Sequence, residues 1–145
     1  MIAIGSDHGG FELKGHIMDH LNEKGIEVKD FGVYTEESAD YPDCSKPVCE
    51  AVLSGECERG ILVCGTGIGI SIAANKFKGI RAALCGNVFS AKMAKEHNNA
   101  NIICLGGRVT GRELANMIVD TYLESRFLGG RHAERVKKIH EIENM

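Results

Sequence analysis

The chain has 145 residues, 43% of them hydrophobic and 26% charged, with a formal net charge of −3. That length fits one domain over residues 1–145 with a sizeable core, and the slight acidity argues against nucleic acid or an anionic membrane as partner. No apolar run reaches a membrane span and "MIAIGSDHGG" lacks the basic start of a signal peptide, so a cytoplasmic protein is expected.

The first apolar run, "IAIGSD", reads as a strand. "FELKGHIMDHLNEKG" follows as a helix with Leu13, Ile17 and Leu21 on one face, stopping at Gly25. His16 and His20 fall beside its polar face and read as surface residues; the zinc-protease pattern would need Glu where Ile17 stands. "IEVKDFG" is the next strand, and "GVYTEESADYPD" the one long irregular connection, of the kind that is usually functional or mobile. "CSKPVCEAVLSG" reads as a helix whose start Pro42 and Pro47 obscure. Strands follow at "GILVCGTG", "IRAALCG" and "ANIICLGG", with helices at about 69–77, 88–97 and 110–124. The last helix, in "GGRHAERVKKIHEI", carries Ala133, Val136, Ile139 and Ile142 on or near one face and a cationic stripe of Arg131, Arg135 and Lys138.

Near-continuous apolar strands alternating with helices predict a three-layer α/β/α Rossmann-like fold with a five-stranded parallel sheet. In such sheets ligands bind beyond the carboxyl ends of the strands, which directs attention to "SDHGG", "CGTGIG", "CGN" and "LGGRV". Cysteines 44, 49, 57, 64, 85 and 104 include no C-x-x-C spacing, so free thiols fit better than zinc or disulfides.

"CGTGIGIS" is the most informative stretch. Its glycines at 65, 67 and 69 miss the dinucleotide fingerprint, which needs glycine at Ile70, and no P-loop lysine occurs. What remains is a strand-to-helix turn whose successive N–H groups can cradle an anion, or a turn that merely packs tightly. Cys64 tilts the choice toward chemistry, because a helix N-terminus favours its thiolate. A base beside an oxyanion cradle is what proton abstraction next to a carbonyl requires. Cys85 and Cys104 read as buried apolar residues.

Other polar groups keep two readings each. Asp7 can grip sugar hydroxyls or cap a helix, and His8 can meet a phosphate or a ring oxygen. His97, ending a helix, can act as an acid near neutral pH or simply cap the chain before Asn98 and Asn99. Arg131 and Arg135 can be solvated or clamp a phosphate, with Arg108 a third candidate.

Taken together, "GSDHGGFELK", "DYPD", "CGTGIGISIAANK", "IRAAL", "HNNANIICLGGR" and "GGRHAERV" resemble the type B ribose-5-phosphate isomerase family, which includes allose- and galactose-6-phosphate isomerases. The resemblance runs in order through the whole chain. It implies a cofactor-free, metal-free aldose–ketose isomerase working through a cis-enediolate. Cys64 would be the base, and the N–H groups of Gly65, Thr66, Gly67, Ile68 and Gly69, with the Thr66 side chain, would hold the enediolate oxygen. His97 would open the sugar ring with Asp7, and Tyr41 and Asn98 would contact the sugar. His8 and Arg108 would bind phosphate, joined by Arg131 and Arg135 of a homodimer partner; the helix at about 130–143 would thus serve the neighbour, in a dimer or a tetramer. A branch of the family uses a glutamate as base where this chain has Ile70, which leaves Cys64. Galactose-6-phosphate enzymes divide the work between unlike subunits; this chain carries both halves. The resemblance also implies a strand order of 2-1-3-5-4.

Allose 6-phosphate, or a related rare aldose, is the alternative substrate. Two other classes stay open on the residues alone: a phosphate- or nucleotide-sensing module on the same fold, and a cysteine-nucleophile transferase or phosphatase.

Overall fold

The computed structural model describes residues 1–145. In chain order the elements are β1 (Ile2–Ser6), α1 (Phe11–Glu23), β2 (Val28–Asp30), α2 (Tyr41–Leu53), β3 (Arg59–Cys64), α3 (Ile68–Ala74), β4 (Ala82–Leu84), α4 (Val88–Glu96), β5 (Ile102–Gly106), α5 (Arg112–Glu124) and α6 (Arg131–Glu143). A 3-10 turn, His8–Gly10, joins β1 to α1. All strands run parallel in the order β2-β1-β3-β5-β4, which matches the expected fold class and strand order.

Side-chain alternation along the central strands builds two cores. Ile61 and Val63 of β3, with Ile103 and Leu105 of β5, face α1, α4 and α5, where Leu13, Ile17, Leu21, Ile118 and Tyr122 are buried. Leu62 and Cys64, with Ile102 and Cys104, face α2 and α3, packing on Val48, Cys49 and Ile70. Both faces of β3 and β5 are thus covered, which is why these strands read as unbroken apolar runs.

Helix boundaries differ where side chains intervene. Residue 77 lies beyond the end of α3, because the Asn75 amide pairs with both backbone groups of Ala82 and turns the chain toward β4. Pro42 sits in the first turn of α2, where its missing N–H costs nothing, and the helix carries through Pro47. Thr110 donates its N–H to the Gly106 carbonyl, so α5 starts only at Arg112. On α6 the expected apolar face is used only in part: Val136 is buried, whereas Ile139 and Ile142 remain exposed.

Lys14 departs most from pattern. It lies beside Leu13 on α1 with its side chain 2% exposed, and its ammonium meets Asp30 Oδ1 at 2.8 Å and the Val33 carbonyl. Asp30 in turn accepts from Gly32 N–H, while Ser6 and Gly32–Val33 exchange backbone bonds. One buried cation therefore ties the chain after β2 to the mouth of β1. Truncating one partner of a buried pair leaves the other uncompensated, so Lys14→Met should lower unfolding free energy by about 3 kcal/mol in urea titration. A loss under ~1 kcal/mol, the range of an exposed pair, would contradict that role.

Candidate active site

The order β2-β1-β3-β5-β4 places the switch in strand direction of travel between β1 and β3, beside the chain's most reactive residues. The loops that follow β1, β3 and β5 are bonded into one unit. Asp7 N–H donates to Val63 O at 3.2 Å, Gly107 N–H to Cys64 O at 2.8 Å, and Arg108 N–H to Gly65 O at 2.9 Å.

Cys64 ends β3 and is 5% exposed. Gly67 N–H donates to its Sγ at 3.1 Å, which fixes the sulfur as an acceptor. The bond depends on Gly67 adopting φ +82°, where a Cβ would also strike Leu84 and the Leu105 backbone. Ile68 N–H is taken by Thr66 Oγ1 at 3.2 Å. The N–H groups of Gly65, Thr66, Gly69 and Ile70 donate to no acceptor in the chain. The α3 helix they open has only 7 residues, so the cradle is made by individual N–H groups more than by a long helix dipole.

Around this cradle the loop after β1 supplies polar groups. Asp7 is 6% exposed and caps the 3-10 turn through Oδ1, accepting from Gly10 N–H at 3.1 Å. The His8 Nδ1 lies 3.1 Å from Ala39 N and 3.2 Å from Ala39 O. It can accept from the first when neutral and donate to the second when charged, which leaves Nε2 to meet a ligand in either state. Tyr41 lays its ring against Gly69, and the Arg108 guanidinium lies against Gly65. A cleft of about 540 Å³ opens between His8, Gly9, Gly107, Arg108 and Thr110.

The remaining predicted residues lie elsewhere in the same chain. His97 caps the C-terminus of α4, which runs back toward the strand entrances, and Asn98 follows in the turn into β5. Cys64 is paired with Gly106 at the far end of β5, whereas Gly60 N–H bonds Asn101 just before β5 begins. The two groups are separated by the length of the sheet, on the order of 13 Å along β5 alone. Arg131 and Arg135 go with His97: His132, between them on α6, stacks on the His97 ring with centroids 4.1 Å apart and planes at 11°. Arg81 adds a second tie, donating Nε–H to Asn99 O and contacting His140 of α6. Thus Cys64, Thr66, Asp7, His8, Tyr41 and Arg108 gather at one end, and His97, Asn98, Arg131 and Arg135 at the other. Arg112 is the one arginine paired with a carboxylate, so Arg108, Arg131 and Arg135 keep uncompensated charge.

His132 escaped the sequence reading because a histidine within "RHAER" looks solvated, yet it is 8% exposed. His16 and His20 are likewise not free surface residues. They are half-buried between α1 and α5, His20 Nε2 meeting Asp120 Oδ1 at 2.9 Å and His16 meeting the Asn116 amide at 3.3 Å. Cys85 and Cys104 are buried as expected. Burial pushes the Cys85 thiol up to about 11 and holds that of Cys104 well above the ordinary range.

The pattern of a ribose/galactose isomerase family matches residues 2–139. Ribose-5-phosphate isomerase B of Escherichia coli (strain K12) is 52% identical over 98% of this chain and 95% of its own. A solved ribose-5-phosphate isomerase B from Clostridium thermocellum is 62% identical, with a TM-score of 0.97, covering 99% of this chain and 97% of that one. Another, from Thermotoga maritima, is 57% identical with a TM-score of 0.95, covering 97% of both chains. Family pattern, sequence and fold agree over nearly the whole length, and the chain belongs to the ribose/galactose isomerase family.

Proposed function

We propose that this chain is a type B ribose-5-phosphate isomerase, interconverting ribose 5-phosphate and ribulose 5-phosphate without a cofactor. The observation that carries the chemistry is the Cys64 sulfur, held at 3.1 Å by Gly67 N–H beside four N–H groups that no acceptor in the chain takes. In the open aldehyde, Cys64 as thiolate removes the proton on C2. The electron pair moves to O1, and the enediolate oxygen is held by the free N–H groups with Thr66. Cys64 then returns the proton to C1 while the O2 hydroxyl proton passes to O1, leaving the ketose. No net oxidation occurs, so no redox partner is required.

Phosphate binding falls to His8 and Arg108, with Arg131 and Arg135 from a second copy. Ring opening falls to His97, assisted by Asp7, and Tyr41 and Asn98 hold sugar hydroxyls. Since His97 and Asn98 are fixed to α6 at the far end of the sheet, they come from the same neighbour as the two arginines. Exposed apolar side chains beside the edge strand β4 supply a surface for that association: Ile72 is 56% exposed and Phe89 71%, with Ile68 and Leu84 nearby. Six free cysteines suit a reducing cytoplasm. The chain folds as one domain whose last helix serves its neighbour.

Two substitutions separate the steps. Cys64→Ala should still bind sugar phosphate but lose turnover and solvent exchange of substrate protons by ~10²–10⁴-fold. Near-normal exchange in deuterated water would remove Cys64 as the base. Ribulose 5-phosphate cannot close a furanose ring because its O5 carries the phosphate. His97→Asn should therefore depress turnover of ribose 5-phosphate by ~10-fold or more beyond its effect on exchange of the ribulose 5-phosphate C1 proton. Equal losses would contradict a ring-opening role.

A further inference from the structure

No step of the proton transfer uses His132, yet its ring is the flat neighbour of His97, 4.1 Å away. The two imidazoles sit at opposite helix ends. His97 caps the C-terminus of α4, whose last four carbonyls accept from the N–H groups of His97, Asn99, Ala100 and Leu128. His132 lies in the first turn of α6, where the helix dipole opposes a positive ring. Its charged neighbours are His97 across the stack and Arg131 and Arg135 on its own helix. The histidines that pair with carboxylates are His20 and His140, so no acid compensates a charge on His132.

The geometry points to His132 as a positioning residue for ring opening: a flat imidazole plate that holds the His97 ring in place. This assignment rests on His97 acting as the ring-opening acid. Two positive rings face to face would repel, so a charge on one ring disfavours a charge on the other. Burial and then the facing His97 and flanking arginines lower the affinity of His132 for a proton, which is the same direction. The stack also locks His97 to the helix that bears Arg131 and Arg135. The ring-opening acid and the phosphate clamp would therefore reach a neighbouring site as one rigid piece.

The test combines three variants with two kinds of readout. His132→Ala should reduce ribose 5-phosphate turnover by ~10-fold while changing C1 proton exchange of ribulose 5-phosphate by less than about 3-fold. His132→Phe, which keeps a flat ring without a titrating nitrogen, should restore most of the lost turnover. Equal losses in both assays, or no rescue by Phe, would overturn a positioning role. Independently of activity, NMR of the histidine Cε1–H signals in the native protein should show His132 titrating below the ordinary histidine value. In His97→Asn that midpoint should move up, because the facing charge is gone. A His132 midpoint that is not lowered, or one indifferent to His97→Asn, would overturn the coupling. If the NMR coupling appears but His97→Asn shows no selective loss of ring opening, His97 is not the acid and the positioning assignment fails with it.

Discussion

Every strand of a parallel sheet points the same way, so residues that follow strands collect at one end and residues that follow helices at the other. That constraint governs this molecule. The loops after β1, β3 and β5 bring Asp7, His8, Cys64 and Arg108 together, and backbone bonds from Gly107 to Cys64 and from Arg108 to Gly65 hold them in register. The turn after α4 delivers His97 and Asn98 to the opposite end, where α6 docks through His132. No small rearrangement of one chain brings the two sets together, because the intervening sheet is covered on both faces by close-packed side chains. In the proposed function, two copies, each lending one end to the other, resolve the division.

At the Cys64 end, the proposed chemistry depends on backbone more than on side chains. Gly67 N–H fixes the sulfur, and neighbouring N–H groups remain undirected. Such donors do not move when charge develops on a substrate oxygen, so their reorganisation cost has been met in folding. The flanking charges are equally preset. Arg108, Arg131 and Arg135 have no carboxylate partners, while Asp7 and Lys14 are committed to local bonds that hold the loops. A doubly charged phosphate would then meet unpaired guanidinium groups at the rim and undirected N–H groups near the sulfur.

Much of this was legible in the sequence, though unevenly. Apolar runs and helix periods are local properties, so the strands, helices and parallel sheet could be read from "GILVCGTG" and its counterparts. Strand order is not local and came only with the family resemblance. The division of the candidate residues between two ends follows from βα geometry, since His97 ends a helix and Cys64 ends a strand, but a motif-by-motif reading groups them by chemistry instead. Three features depend on tertiary partners with no trace in spacing. Lys14 is buried because Asp30 and Val33 wait for it, His20 is half-buried because Asp120 lies across from it on α5, and His132 is buried because His97 faces it. In each case a polar residue in a polar-looking segment is drawn inside by one specific neighbour.

In the proposed enzyme, a working site draws its base from one copy and its arginines and His97 from another. Complementation between inactive variants measures this directly. Cys64→Ala and the double variant Arg131→Ala, Arg135→Ala would be unfolded together in equal amounts and refolded, with native mass spectrometry establishing that mixed dimers form. Each mixed dimer would carry both lesions in one site and none in the other, and half of the dimers would be mixed. Turnover of ribose 5-phosphate should therefore return to roughly a quarter of the wild-type value. Mixed dimers that form and stay inactive would contradict the account, because sites built within single chains keep one lesion each.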